Sequence, residues 1–100
     1  MAHFQIAAGE VSKAVVHRTV EEVWYVLSGR GEMWRKHEAE EAIVELRAGV
    51  CLTIPPGTQF QFRALGNEPL AVVGMTMPPW PLDREEAIFV SGKWPATLPR

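Results

Sequence analysis

The sequence predicts an all-β fold, an antiparallel β-barrel, and the spacing of apolar runs and turn residues favours it. Short apolar runs recur between residues 11 and 77, at positions 14–17, 23–27, 32–34, 42–46, 50–54, 59–64 and 70–77. Glycine and proline are concentrated in the separators, where glycine allows positive φ angles and proline presets φ for a turn. Runs this short and this closely spaced are typical of a sandwich or barrel.

Residues 35–41 depart from this pattern. The segment Arg-Lys-His-Glu-Ala-Glu-Glu contains no glycine, proline or asparagine, and its residues favour helix by intrinsic propensity. We interpret it as a solvated hairpin end with room for one helical turn. His37 lies inside this charged run and is therefore expected to be exposed, not to act as a ligand.

The chain changes in character after residue 77. Three prolines surround Trp80, and because proline lacks an amide donor and biases its predecessor away from helix, this segment is expected to be extended. We predict a barrel of residues 1–77 and, within the same domain, a C-terminal arm of residues 78–100 that packs on it. The predicted arm contains three large aromatic residues, Trp80, Phe89 and Trp94. If all three were exposed, they would form a larger apolar patch than monomers usually expose to solvent, so a homodimer is expected.

Composition excludes several classes of function. The 100 residues carry a formal net charge of −2, with 47% hydrophobic and 22% charged residues, as expected for one globular domain. No basic face for nucleic acid is predicted, and no apolar run approaches the roughly 20 residues that cross a bilayer. The beginning of the sequence lacks the layout of a secretory signal, so a cytoplasmic location is expected. Cys51 is alone; it is a candidate for an additional metal donor, but a lone cysteine in an apolar run is expected to be a small core hydrophobe.

Two spaced motifs carry a family resemblance. The first consists of Gly9, Val15, His17, Glu22 and Gly29, and the second of Gly49, Pro55, Gly57, Phe60 and Ala64. Their spacing resembles the two motifs of the cupin superfamily. The resemblance implies an antiparallel double-stranded β-helix, a jelly-roll barrel. It also implies a divalent metal held inside the barrel by two histidines and a glutamate of the first motif and a histidine of the second.

Two of the four metal-ligand positions implied by the resemblance carry side chains that cannot bind a metal. Val15 stands where the first histidine would be, and Phe60 stands where the third would be. Only His17 and Glu22 remain, whereas structural zinc takes four ligands and catalytic sites use at least three protein groups. We therefore expect no cofactor, or at most a divalent metal held weakly by His17 and Glu22.

Strand periodicity assigns the remaining interior residues. Because side chains alternate between the two faces of a strand, Glu22 shares one face with Trp24 and Val26. With the register that the resemblance implies, His17 and Glu22 form a candidate catalytic acid–base pair inside the barrel. The predicted pocket-lining residues are Val15, Trp24, Val26, Phe60 and Phe62.

Three functions remain open at this point. The first is a stand-alone cupin that binds a small polar molecule without a firmly held metal. The second is an enzyme on a small polar substrate, similar to sugar-phosphate isomerases or oxygenases, in which His17 and Glu22 exchange protons or share a weak metal. The third is a dimeric structural or interaction module, in which the pair forms only a charge-assisted hydrogen bond.

Overall fold

The computed structural model describes residues 2–79 and 86–98, and within these ranges the chain forms nine strands. The strands are β1 (Ala2–Ile6), β2 (Ala14–His17), β3 (Glu21–Ser28), β4 (Arg30–His37), β5 (Glu40–Arg47), β6 (Cys51–Ile54), β7 (Gln59–Leu65), β8 (Leu70–Met77) and β9 (Ala87–Val90). They pair in two antiparallel sheets, one with the order β1-β8-β3-β6 and the other with the order β5-β4-β7-β2-β9. The predicted all-β antiparallel fold is confirmed.

The core lies between the inner faces of the two sheets, and strand alternation selects its members. In β3, Trp24 and Val26 are buried while Tyr25 and Leu27 are exposed, which is the period-two pattern of a strand with one covered face. Met33 of β4 and Leu46 of β5 join the same buried cluster from the second sheet. The predicted assignment of Trp24 and Val26 to the interior agrees with this burial.

The charged segment of residues 35–41 forms a hairpin end without a helical turn. Arg35 pairs with Ala42 and His37 with Glu40, and a two-residue turn with Glu38 at φ 57° joins the strands. The ladder satisfies the backbone hydrogen bonds of this segment and so overrides its helical propensity. The described residues contain no helix, and thus none long and apolar enough to span a membrane.

Two strands lie outside the apolar runs predicted for the barrel. β1 pairs with β8 and contains His3, in a terminal segment where disorder is the default expectation. β9 pairs with β2 as an edge strand of the second sheet, so residues 87–90 of the predicted arm are part of the sandwich itself. The predicted role of Trp80 lies outside the described residues.

The segment after β9 lies on the outer face of the second sheet. Gln61 faces outward, opposite to Phe60, yet it is only 1% exposed because this segment covers it. Its side-chain amide donates to the carbonyl oxygens of Ser12 and Trp94, and its oxygen accepts the Trp94 amide at 2.9 Å. The guanidinium of Arg63 lies 4.1 Å from the centre of the Trp94 ring.

We expect Gly92→Ala to weaken the packing of the segment after β9 against the sheet. A Cβ atom at position 92 would lie 2.3 Å from Gln61 Oε1 and 2.7 Å from Ala14 Cβ, so the tail must shift away from the sheet. Overpacking of this kind costs about 1–3 kcal/mol, so the melting temperature should fall by roughly 5–20 °C. Tryptic cleavage after Lys93 should also become faster. The control is Ser91→Ala at a neighbouring exposed position, and equal melting temperatures for both variants would contradict the close packing.

Candidate functional site

His17 and Glu22 meet where β2 ends and β3 begins. His17 Nε2 lies 2.7 Å from Glu22 Oε1, and the side chains are 6% and 15% exposed. The other carboxylate oxygen of Glu22 accepts a hydrogen bond from the indole N–H of Trp24 at 2.8 Å. Glu22 and Trp24 are two residues apart and therefore share the inner face of β3. The carboxylate is thus held from two sides in one orientation.

The loop that joins His17 to Glu22 is anchored by Glu86, just before β9. The buried Glu86 carboxylate accepts hydrogen bonds from the Thr19 hydroxyl at 2.7 Å, from the Val20 amide at 3.0 Å and from the Thr19 amide. Burial raises the pKa of Glu86, but the hydrogen bonds from Thr19, Val20 and Arg18 outweigh it and lower the pKa to about 2. The ionised carboxylate therefore fixes the turn that brings His17 to Glu22.

Glu22 also borders a cleft of about 580 Å³ at one end of the barrel. The lining residues are Ala2, Phe4, Glu22, Gly74, Met75, Thr76 and Pro79. Most of the wall is apolar, and Glu22 is the charged group among these described residues. A Cβ atom at Gly74 would lie 3.1 Å from Glu22 Oε2 and 3.4 Å from Phe4, so the missing side chain keeps the approach to the carboxylate open.

The residues predicted to line the pocket pack mainly as core. Trp24, Val26 and Phe60 belong to the buried cluster, and Val15 and Phe62 pack against it. The walls of the cleft come instead from β1, β8 and the segment after β8. The reason is that the aromatic rings fill the interior between the sheets. The Trp24 and Phe62 ring centres are 4.9 Å apart, and the His17 and Phe60 ring centres are 5.3 Å apart in an edge-to-face arrangement.

A second cavity, of about 350 Å³, lies beside the hairpin end of β4 and β5. His37 is exposed there, and its Nδ1 lies 3.1 Å from the Thr58 hydroxyl oxygen. Arg35 donates to the carbonyl oxygen of Thr53 at 2.8 Å. Two basic side chains, Arg35 and Lys36, are balanced by Glu40 and Glu41 in the lining, so the cavity has no dominant charge.

Comparison of the sequence with known families identifies the fold family. Residues 2–76 match the family model described as the cupin domain. The chain belongs to the cupin family. An uncharacterised protein from Methanocaldococcus jannaschii is 35% identical to this cupin over 71 residues, which are 69% of this chain and 54% of the relative. The chain therefore spans about half the length of this curated relative.

Solved structures of low sequence identity share the fold of this cupin. The capsular polysaccharide assembling protein CapF from Staphylococcus aureus superposes with a TM-score of 0.76 at 18% identity, over 90% of this chain and 27% of that protein. A conserved protein with a double-stranded β-helix domain from Klebsiella pneumoniae gives 0.74 at 20% identity, over 90% of this chain and 72% of that protein. The double-stranded β-helix expected from the resemblance is thereby established.

Two donor side chains, His17 and Glu22, stand at the metal-ligand positions that the resemblance implies. Within residues 2–79 and 86–98, no group of three or more histidine, cysteine or acidic side chains lies close enough to hold a metal ion. Val15 and Phe60 face each other as a cross-strand pair beside His17, where the motifs of the resemblance have histidines. Cys51 adds no donor to this region, because it is exposed on β6 opposite Tyr25; the expectation of a core cysteine was wrong.

Sequence reasoning missed Phe4, Gly74 and Glu86. A signal existed for Gly74, because a glycine inside a strand often marks close approach of another group or a ligand. Phe4 lies in a terminal segment whose pairing with β8 is not visible in local periodicity. Glu86 reaches the Thr19 side chain across 67 positions of sequence, and no local pattern encodes such a contact.

Proposed function

We propose that this cupin binds a small molecule in the cleft beside Glu22, without a firmly held metal. The observation that carries the proposal is the placement of one oriented carboxylate at the edge of a largely apolar cleft of about 580 Å³. Small-molecule sites commonly combine apolar walls with a few fixed polar groups that orient the ligand. His17 and Trp24 act here as positioning residues for Glu22.

The lining favours a ligand with an apolar body and a hydrogen-bond donor. Phe4 and Pro79 offer contacts for the apolar body. An ionised carboxylate has about four acceptor positions, and two of those on Glu22 are taken by His17 and Trp24. The remaining positions suit an alcohol or an amine. A carboxylate ligand is disfavoured, because two like charges at short range repel each other.

A matched set of probes tests this preference. Cyclohexanol, cyclohexylamine and cyclohexanecarboxylate share one body and differ in the polar group. We expect the alcohol or the amine to shift the NMR signal of the Trp24 indole N–H in a saturable manner, because that group contacts the Glu22 carboxylate. Cyclohexanecarboxylate should leave the signal unchanged. A shift produced by the carboxylate alone would overturn the proposed ligand class.

Filling the cleft should abolish binding of these probes. Thr76 lies on β8, pairs with Glu22 of β3 and lines the cleft. Thr76→Phe therefore places an aromatic ring inside the cleft. We expect the affinity for the responding probe to fall at least roughly tenfold, which corresponds to about 1.4 kcal/mol. Thr53→Phe is the control, because Thr53 lies exposed on β6 and does not line the cleft. Equal binding by both variants would place the probe elsewhere.

An acid–base enzyme is the second candidate, and the hydrogen bond between His17 and Glu22 favours it. A carboxylate that orients an imidazole is a recurring arrangement in proton transfer. His17, however, is buried behind Glu22 and against Phe60, so a substrate in the cleft meets the carboxylate first. Turnover of a bound alcohol or amine by the natural chain, lost in His17→Asn with binding retained, would move this candidate to first place.

A further inference from the structure

The cavity beside the hairpin end of β4 and β5 is separate from the cleft at Glu22. Its volume is about 350 Å³, and none of its lining residues also lines the cleft. The hairpin end supplies most of its wall, and Pro55 and Thr58, from the segment that joins β6 to β7, complete it. A molecule in this cavity therefore contacts a different part of the chain from a ligand beside Glu22.

Strand alternation places Arg35 and His37 on the inner face of β4. The two residues are two positions apart, and Arg35 is the cross-strand partner of Phe60, a member of the buried core. Glu40 is the cross-strand partner of His37 on β5 and shares that face. The inner face at the hairpin end thus carries two basic side chains and one carboxylate.

The other two charged residues of the lining, Lys36 and Glu41, belong to the outer face. They are cross-strand partners, each one position away from the inner-facing residues. The Glu41 carboxylate accepts a hydrogen bond from the indole N–H of Trp34, which lies two positions before Lys36 and therefore on the same face. Within the part of the chain that the structure describes, Glu40 forms no ion pair, so its carboxylate remains for a ligand.

Arg35 and His37 are each held by one neutral group. The Arg35 guanidinium donates to the carbonyl oxygen of Thr53 at 2.8 Å, and His37 Nδ1 lies 3.1 Å from the hydroxyl oxygen of the buried Thr58. A guanidinium has five N–H donors in a planar fork, and it often binds a carboxylate through two parallel hydrogen bonds. Among residues 2–79 and 86–98, neither side chain forms an ion pair. Donors for a carboxylate are therefore oriented beside the cavity.

Arg35 and Glu40 are placed to act on one ligand. In the register Arg35 pairs with Ala42, so Glu40 is its diagonal neighbour on β5. Diagonal neighbours lie about 7–8 Å apart, which is within reach of long side chains. The described residues nevertheless include no ion pair between the two. A positive and a negative group thus share one face, at a separation that a small ligand can bridge.

We propose that this cavity binds the zwitterion of a free α-amino acid with a small apolar side chain. The ligand carboxylate accepts hydrogen bonds from the Arg35 guanidinium and the His37 ring, and the ligand ammonium group donates to Glu40. A ligand that is only an anion is repelled by Glu40, and one that is only a cation is repelled by Arg35. Ala42 and Pro55 supply apolar contacts, and the volume of about 350 Å³ lies at the lower end of the range for small-molecule sites.

Three probes that share one branched carbon skeleton test the proposal. L-Valine has both charges, isovalerate lacks the ammonium group, and isobutylamine lacks the carboxylate. We expect valine to shift the NMR signal of the His37 ring in a saturable manner. It should bind at least about tenfold more tightly than either analogue, because only valine contacts both charged groups. The Trp24 indole signal, which reports on the cleft, should not move. An analogue that binds as tightly as valine, no response to valine at about 50 mM, or a response confined to Trp24 would each overturn the proposal.

Charge-removing substitutions assign the two ends of the ligand. Arg35→Gln should weaken valine binding at least about tenfold, and Glu40→Gln should make valine bind no more tightly than isovalerate. A general loss of folding does not produce this selective loss of discrimination, and far-ultraviolet circular dichroism verifies that each variant retains its strands. Arg30→Gln and Glu45→Gln are the matched controls, because both residues are exposed, lie on the same two strands and do not line the cavity. Unchanged valine affinity in Arg35→Gln, or an equal loss in the controls, would overturn the proposed site.

Discussion

The double variant Val15→His with Phe60→His is expected to bind zinc or manganese roughly 100-fold or more tightly than the natural chain. Val15 and Phe60 are cross-strand partners on β2 and β7, and the ring centres of Phe60 and His17 are 5.3 Å apart. The two new imidazoles therefore enter the interior beside His17 and Glu22. The variant has four donors where the natural chain has two, and four is the number that a closed zinc site requires.

Metal content after dialysis and the melting temperature with and without metal measure this effect. Phe60 belongs to the buried cluster, so its replacement lowers the stability of the metal-free variant. Added metal should reverse this loss, because a ligand at 1,000 times its dissociation constant stabilises the folded chain by about 4 kcal/mol. His17→Ala in the same background is the control and should remove most of the gain. If the natural chain itself retains about one equivalent of metal and loses it with His17→Ala, a further donor completes the site.

Replacing Glu86 by glutamine is expected to lower the melting temperature by roughly 10 °C at neutral pH. The buried carboxylate accepts hydrogen bonds from the Thr19 and Val20 amides and from the Thr19 hydroxyl. Glutamine keeps the shape but removes the charge, and its amide group faces donors that it cannot satisfy. The turn between β2 and β3 then loosens, and with it the contact between His17 and Glu22. Glu68→Gln, at an exposed turn position, is the control and should leave the melting temperature unchanged.

The contribution of Glu86 should also depend on pH in a defined direction. Its pKa is lowered from 4.5 to about 2 in the folded chain, so the folded state favours the ionised carboxylate. The stabilisation is therefore complete above pH 4.5 and is lost as the pH falls from there towards 2. The difference in melting temperature between the natural chain and Glu86→Gln should narrow across this window. A constant difference from pH 6 to pH 2.5 would show that the charge of Glu86 has no role.

Local patterns predicted much of the barrel but fewer details of the site. The alternation in β3 placed Trp24 inside, because this signal acts over a few residues, and the register implied by the resemblance to the cupin motifs placed His17 beside Glu22. The lining of the cleft was predicted less well. Periodicity tells which side of a strand is covered, but it does not tell whether the covered space is filled by rings or left open. That depends on the match between the volumes of Phe4, Trp24 and Phe62 across two sheets.

The sequence by itself determined the all-β class, the hairpin at residues 35–41, the inward face of β3 and the apolar character of Val15 and Phe60. Only the tertiary structure decided that Glu86 anchors the loop before Glu22, that Cys51 is exposed, and that the tail buries Gln61. The physical reason is the distance along the chain. Strand periodicity and turn propensity are local, whereas these contacts join residues that are remote in sequence, such as Thr19 and Glu86 at a separation of 67. Such contacts exist only after the two sheets have closed on each other.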